Sequence, residues 1–436
     1  MKLPNNLLFT IKNQLVAKSM GVLALRIFGI SLFFLSTLFI TNFFDASLVG
    51  EYDFSRALLL FLGAVSLFGM HQAIIYYSGF LSAKENLGYI KKVYFKMVGI
   101  MFVFSVLILL ISQLLQLKAI SDLIPFPINE TAIKTIFALF FYALTMLNID
   151  VFRAIRKIYL SELYRNVIRY LPFLVAVLVI YFINDTELLV DVFLYNFVFI
   201  ALISTVFLLF YFRKLSENND SVVAISYKNI LTKSAPMAVS GTAFLLMQSV
   251  DVLMLTHFTN YKTVAYYAVA VKLTLIINIV LASVNAVIAP QIAEFFSAEK
   301  IQQLKDTISK ASRIIFFMTF PMIIILAIFS TFVLGLFGEA YKVANTAFLL
   351  LLIGQVVNTF CGSVGVYLNM TGKQKIFQII LISALAINIL FNAILIPRLG
   401  MIGAAIATTT SMVLWNVIAV IYVYKKDKVK IFLTVK

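Results

Sequence analysis

Charge is scarce in this chain, and the residues that usually carry chemistry are scarcer. Only 12% of its 436 residues are Asp, Glu, Lys or Arg, roughly half the share of a soluble domain. One cysteine, Cys361, excludes an internal disulfide and a thiolate zinc site. The two histidines, His71 and His257, lie in different halves and make no metal-ligand spacing. No P-loop, HExxH, GxSxG or glycine-rich dinucleotide turn appears. There is also no TVGYG-like filter and no arginine ladder. These absences speak against ATP hydrolysis, catalysis, a metal or a cofactor. What is abundant is apolar: 62% of residues, with a mean hydropathy of +1.01. A soluble chain of this length would need about three domains with polar surfaces, which this composition cannot supply. The sequence therefore reads as an all-α integral membrane protein.

A helix needs about 20 mostly apolar residues to cross hydrocarbon. Twelve such runs can be marked: Met20–Phe44, Ser55–Tyr77, Val93–Leu117, Ile133–Phe152, Asn166–Ile183, Leu189–Phe212, Ala235–His257, Ala265–Pro290, Ala311–Leu336, Asn345–Leu368, Ile376–Ile396 and Met401–Tyr424. They are too long for barrel strands of about 9–11 residues. The first has no signal-peptide cleavage site and is expected to remain as a span. The net charge of +16 suggests nucleic acid only until the basic residues are placed. With the N-terminus cytoplasmic, 27 of the 35 fall in or beside cytoplasmic segments and 5 on the other side. This is the positive-inside pattern, so both termini are expected in the cytoplasm and no nucleic acid is expected as partner. Arg26, Arg56 and Lys272 are left over within the spans.

The longest expected outer loop, Lys118–Thr131, is too short for an external domain. The longest inner connection carries Glu217, Asn218, Asn219, Asp220 and Ser221. It reads as a linker, 213–234, between six-helix bundles at 1–212 and 235–436. Its stretch Val222–Leu231 is weakly amphipathic and suits the membrane surface, and the loop Gln291–Lys310 reads either as an interfacial helix or as a solvated connector. Val49-Gly-Glu-Tyr-Asp-Phe-Ser-Arg-Ala-Leu58 aligns with Val264-Ala-Tyr-Tyr-Ala-Val-Ala-Val-Lys-Leu273. If this is a repeat, it is a parallel one of six spans, a common transporter plan.

Ionisable groups within spans are costly and point to function. At 1.5 Å per residue, Asp251 and Lys272 both lie about 9–10 Å below the outer ends of spans seven and eight. They suit either a fixed ion pair or a titratable, cation-sensitive site that couples transport to a gradient. Arg26 lies about 9 Å inside span one, with His71 and Gln72 about 8–9 Å from the inner end of span two. Arg26 either snorkels or lines an anion-binding cavity, because its planar fork suits phosphate oxygens. His71 either titrates near neutral pH or is simply hydrogen-bonded. Arg56, near the outer boundary, is placed to snorkel. Asp150 and Arg153, three apart, can pair on one helix face. The dense basic cluster around them either sets topology or captures an anionic headgroup. Gln248, Asn278, Asn285, Gln355, Asn358, Asn388, Asn392 and Asn416 either bond between helices or meet a sugar. Gly400, Gly403, Ala404 and Ala407 form a small-residue packing face. Pro236, Pro290 and Pro321 can kink their helices.

Several stretches together resemble a known family. They are Leu48-Val-Gly-Glu-Tyr-Asp-Phe54, Phe68-Gly-Met-His-Gln-Ala73, Ala235-Pro-Met237, Ser249-Val-Asp251, Val264-Ala-Tyr-Tyr-Ala268, Ala289-Pro-Gln-Ile292 and Gly400-Met-Ile-Gly-Ala-Ala-Ile-Ala-Thr408. The chain resembles the polysaccharide flippases (O-antigen and exopolysaccharide) of the multidrug/oligosaccharidyl-lipid/polysaccharide exporter superfamily. The resemblance implies two six-helix bundles around a central cavity in the bacterial cytoplasmic membrane. It implies movement of polyprenyl-pyrophosphate-linked oligosaccharide from the inner to the outer leaflet by alternating access, with polymerase and chain-length proteins as partners. Arg26, Arg56, Lys272 and Gln72 become candidate substrate contacts, and Asp251 and His71 candidate ion-coupling groups. A drug/cation antiporter of the same fold is the alternative. A polytopic polymerase or ligase is a further one, disfavoured by the short outer loops.

Overall fold

The computed structural model describes residues 5–83, 86–115, 129–215 and 225–433, without the side chains of 5–20, 83, 115, 239–245 and 248. Most of the expected outer loop Lys118–Thr131 and the middle of the 213–234 linker, with part of Val222–Leu231, lie outside the described residues. So does the Gln248 side chain. Among the described residues all regular structure is helical. In chain order the helices are α1 (Asn5–Phe43), α2 (Ala46–Leu67), α3 (Met70–Ala83), α4 (Ile90–Leu115), α5 (Glu130–Phe137), α6 (Leu139–Ala154), α7 (Ile158–Leu163), α8 (Leu171–Phe182) and α9 (Leu189–Phe212). There follow α10 (Tyr227–Phe258), α11 (Tyr261–Ser297), α12 (Ile301–Ile328), α13 (Ser330–Gly335), α14 (Asn345–Cys361), α15 (Val364–Met370), α16 (Gln374–Leu399) and α17 (Met401–Asp427).

Among the described residues nine helices are long and apolar enough to cross a membrane, or eleven if two bent pairs each count as one span. The bent pairs are α2 with α3, at 42°, and α5 with α6, at 41°. The first bend has a visible cause. Phe68 and Gly69 take positive φ, 42° and 72°, which ends one helix and starts the next. A side chain at Gly69 would meet the backbone of Ser234 and Ala238, both 2.5 Å from an added Cβ. Helix continues through Pro236, Pro290 and Pro321. Large apolar side chains face outward, as with Phe182 at 76% and Ile328 at 70% exposure. Helices satisfy their own backbone groups, so they can carry such faces into lipid.

By internal contacts the described chain divides into two units. The first takes 5–44, 62–115 and 129–238, and the second takes 45–61 and 239–433. The division falls inside α2 and α10. In the first unit a core of Met70, Tyr94, Leu147, Phe152 and Tyr164 surrounds a buried amide. Asn148 accepts from the Tyr94 hydroxyl at 2.9 Å and donates to Ser204 and Thr205, both at 2.9 Å, an interhelical polar tie. In the second unit Ile292, Leu304, Val364, Tyr367 and Val423 form a core that includes Ile431.

The second unit's α16–α17 hairpin turns at Gly400, φ 54°. Gly403 then packs so tightly that an added Cβ would stand 2.5 Å from the Leu395 carbonyl. Ala404 and Ala407 beside it are fully buried, so the expected small-residue face is a packing face. Gly403→Ala is therefore expected to destabilise the protein by about 1–3 kcal/mol, seen as a lower midpoint of thermal unfolding in detergent. Gly79→Ala, where a Cβ meets nothing within 4 Å, is expected to leave the midpoint unchanged or raised. Equal behaviour of the two variants would refute the packing argument.

Candidate functional site

The second unit holds a buried carboxylate with no cation on it among the described residues. Asp251, on α10, is 4% exposed. Tyr267 of α11 donates to its Oδ2 at 2.9 Å, and the Thr408 hydroxyl of α17 donates to the same oxygen. Oδ1 accepts from Asn392 at 2.7 Å and from Asn388 at 3.2 Å, one turn apart on α16. Four neutral donors from three helices thus converge on one acid. The expected Asp251–Lys272 pair is not formed. Asn388 and Asn392 bond between helices, as one of the two sequence readings had it, and their target is Asp251. The Asn392 carbonyl oxygen is buried beside the acid without a hydrogen-bond partner among the described residues.

Lys272 instead grips Asp53. Its Nζ lies 2.7 Å from Oδ1 and 2.9 Å from Oδ2, with the two side chains 1% and 0% exposed. The ammonium also sits 5.4 Å from the centre of the Tyr52 ring, within cation–π range. Arg56, one turn along α2 from Asp53, touches Oδ1 at 3.4 Å and keeps 22% exposure. Two cations therefore share one buried carboxylate. The close approach of α2 and α11 allows it: Gly50 packs against the Tyr261 backbone, where any side chain would overlap the Tyr261 carbonyl.

A cavity of about 360 Å³ opens beside these groups, lined wholly by second-unit residues. Arg56, Asp251, Gln355, Asn358, Thr408 and Trp415 are among its walls. Asp251 is the one acid among the described residues of that lining, and both of its oxygens are engaged.

The first unit holds the other candidates. Arg26 of α1 forms a two-pronged pair with Glu162 of α7, at 2.9 and 2.8 Å, and its side chain is 47% exposed. Asn166 adds a bond to the same carboxylate at 3.0 Å. His71 has a buried Nδ1 without a hydrogen-bond partner, in the field of Asp150 and Arg165. Gln72 is exposed. The expected Asp150–Arg153 pair is replaced by Asp150–Arg165 at 2.5 Å. Helix α6 ends at Ala154, Arg156 takes a φ of 64°, and the chain doubles back so that the π-helical turn Tyr164–Ile168 delivers Arg165 to the acid. Arg153 stays exposed.

Sequence reasoning missed Glu162, Asp53 as a partner, Tyr267 and Thr408. Asp53 and Arg56 do stand three apart at the head of a span, a spacing that could have flagged them. Breaking a buried ion pair costs about 3–5 kcal/mol by stranding a charge. Asp53→Leu strands two cations, whereas Lys272→Met leaves Asp53 with Arg56. The first variant is expected to lower the thermal midpoint more than the second, and the double variant less than Asp53→Leu alone. Arg26→Met is likewise expected to be rescued by Glu162→Gln. Additive losses in either double variant would count against the pairs.

Similarity to known proteins agrees with this architecture. The MatE family model matches residues 236–394. An uncharacterized membrane protein of Methanocaldococcus jannaschii is 30% identical over 184 residues, 42% of this chain and 36% of its own length. A Haloferax volcanii protein named "Probable low-salt glycan biosynthesis flippase Agl15" is 24% identical over 201 residues, 45% of this chain and 43% of its own. The aligned region thus spans less than half of each of these relatives. Among solved structures, lipid II flippase MurJ in an inward closed conformation superposes with a TM-score of 0.70 at 14% identity, covering 94% of this chain and 87% of that one. An inward-facing MATE family multidrug resistance transporter of the MOP superfamily gives 0.69 at 13%, covering 92% and 94%. The resemblance to exporters of that superfamily is borne out by the MatE match and the flippase-named relative, and the fold is that of the MATE and MurJ membrane transporters.

Proposed function

We propose that the chain is a flippase for polyprenyl-pyrophosphate-linked oligosaccharide, moving it from the inner to the outer leaflet of a bacterial cytoplasmic membrane by alternating access. The observation that carries this reading is the polarity of the second-unit cavity. It offers Arg56 and several amides, while the one acid among its described walls, Asp251, is 4% exposed behind four protein donors, open to a proton or bare ion rather than to a bulky cation. Such walls favour anionic or uncharged polar cargo over a lipophilic cation. With this reading go twelve spans, both termini in the cytoplasm, six-helix halves at 1–212 and 235–436, and neighbouring polysaccharide-assembly proteins as partners. The second reading, a drug antiporter, is favoured by the likeness to the MATE transporter.

Coupling to a proton or sodium gradient is assigned to Asp251. A membrane-buried carboxylate held only by neutral donors carries a charge that no protein cation cancels, so a proton or small cation is its natural complement. His71 is the second candidate. In vesicles loaded with fluorescent lipid-linked oligosaccharide, an imposed gradient is expected to accelerate flipping by the wild type. Asp251→Asn is expected to lose that acceleration while still inserting and folding. Flipping that ignores the gradient in the wild type, or that responds equally in Asp251→Asn, would sink the coupling assignment. Transport of cationic dyes in place of the labelled glycolipid would select the antiporter reading.

A further inference from the structure

We infer that the second-unit cavity is a seat for one uncharged sugar ring of the cargo, recognised by amides of three helices and flanked by Trp415. The inference rests on the flippase reading above and names the part of the cargo that this cavity takes.

Helix geometry builds the seat. Asn278 and Asn285 are seven apart on α11, two turns along one face. Gln355 and Asn358 are one turn apart on α14, and Thr408, Ser411 and Trp415 follow at three and four residues on α17. All seven line the cavity, and Asn369 of α15 joins them. Stripes at helical spacing on separate helices aim at one space. Its volume, about 360 Å³, falls within the range of about 300–1,000 Å³ typical of small-molecule sites.

The hydrogen-bonding capacity of this space is partly unused. Ser363, in the break between α14 and α15, is 2% exposed, lines the cavity, and its hydroxyl has no partner among the described residues. The Asn285 carbonyl oxygen is also buried and unpartnered. Asn358 and Gln355 share only a long bond of 3.4 Å. Buried polar atoms are nearly always paired, so unpaired ones that line one cavity point to a ligand that completes them. An amide both donates and accepts, which matches a hydroxyl or acetamido group better than a charge. Trp415 packs with Phe377 at 6.0 Å between ring centres, and both line the cavity. They give an apolar, aromatic wall for the hydrocarbon face of a pyranose.

Trp415 is the chain's single tryptophan, so its fluorescence reports on this cavity alone. The full chain in detergent micelles would be titrated with chitobiose, maltose and lactose, and separately with tetraphenylphosphonium. A saturable change with at least one disaccharide and none with the cation is expected. Ser363→Ala combined with Asn369→Leu is expected to weaken that response about tenfold or more with an unchanged thermal midpoint. Silence with all three sugars, a matching response to the cation, or an unaltered affinity in the variant overturns the seat. Flipping of labelled lipid-linked oligosaccharide separates the two proposals. If the wild type flips it while Trp415 stays silent, the seat is wrong and the flippase reading stands. If Trp415 responds to sugar but no lipid-linked oligosaccharide is flipped, the flippase reading fails and the cavity remains a sugar site.

Discussion

Hydrocarbon offers a buried polar group nothing to bond with, so every charge placed in a span must find its complement inside the protein. The chain meets this constraint in two ways. Asp53 is neutralised twice over, by Lys272 at 2.7 Å and Arg56 at 3.4 Å. Asp251 receives only neutral donors, from Tyr267, Asn388, Asn392 and Thr408. Neutral donors stabilise a carboxylate through dipoles without cancelling its charge. The first arrangement is closed. The second leaves a net negative charge in a low-dielectric place, which a mobile cation can complete and release. That difference is why coupling is proposed for Asp251 rather than for Asp53, whose charge two cations already meet.

Composition and hydropathy made the class and nearly every helix legible, because a span is a one-dimensional signal. Each of the twelve apolar runs overlaps helix among the described residues, where nine helices, or eleven with the bent pairs, are long and apolar enough to span. The bends were not legible. Ser55–Tyr77 reads as one span, and backbone geometry at Phe68 and Gly69 interrupts it. Gly69 was the sole hint, since glycine tolerates positive φ, and glycine also occurs in unbroken spans, as at Gly99 in α4.

Partner choice was the least legible feature, and the physical reason is rotation. Depth along a helix follows from counting residues, but the direction of a side chain around its axis must match a particular neighbour. Asp251 and Lys272 have matching depths. Tyr267 and Lys272 are five residues apart, which at 100° per residue places them about 140° apart around α11. The face carrying Tyr267 meets Asp251, so Lys272 is turned toward α2 and Asp53. The same limit explains Asp150: the three-residue spacing to Arg153 is a valid helix-face pair, yet a chain reversal at Arg156 brings Arg165 in from another element. Local spacing competes with tertiary delivery, and here delivery wins.

These pairings also rank the cations expected to meet an anionic cargo. Lys272 is 1% exposed and engages both oxygens of Asp53, so withdrawing it would uncover a buried carboxylate. Arg26 is more open, yet both prongs of its guanidinium lie on Glu162, and a phosphate would have to displace a bidentate carboxylate of matching geometry. Arg56 has the weakest hold: one contact of 3.4 Å to an oxygen that already has a better partner in Lys272. It is partly exposed and it lines the cavity. Releasing Arg56 leaves Asp53 neutralised, so the cost of turning it toward an anion is the smallest of the three. Asp53 needs only one of its two cations, and the one it can spare stands at the wall of the cavity proposed to seat the sugar.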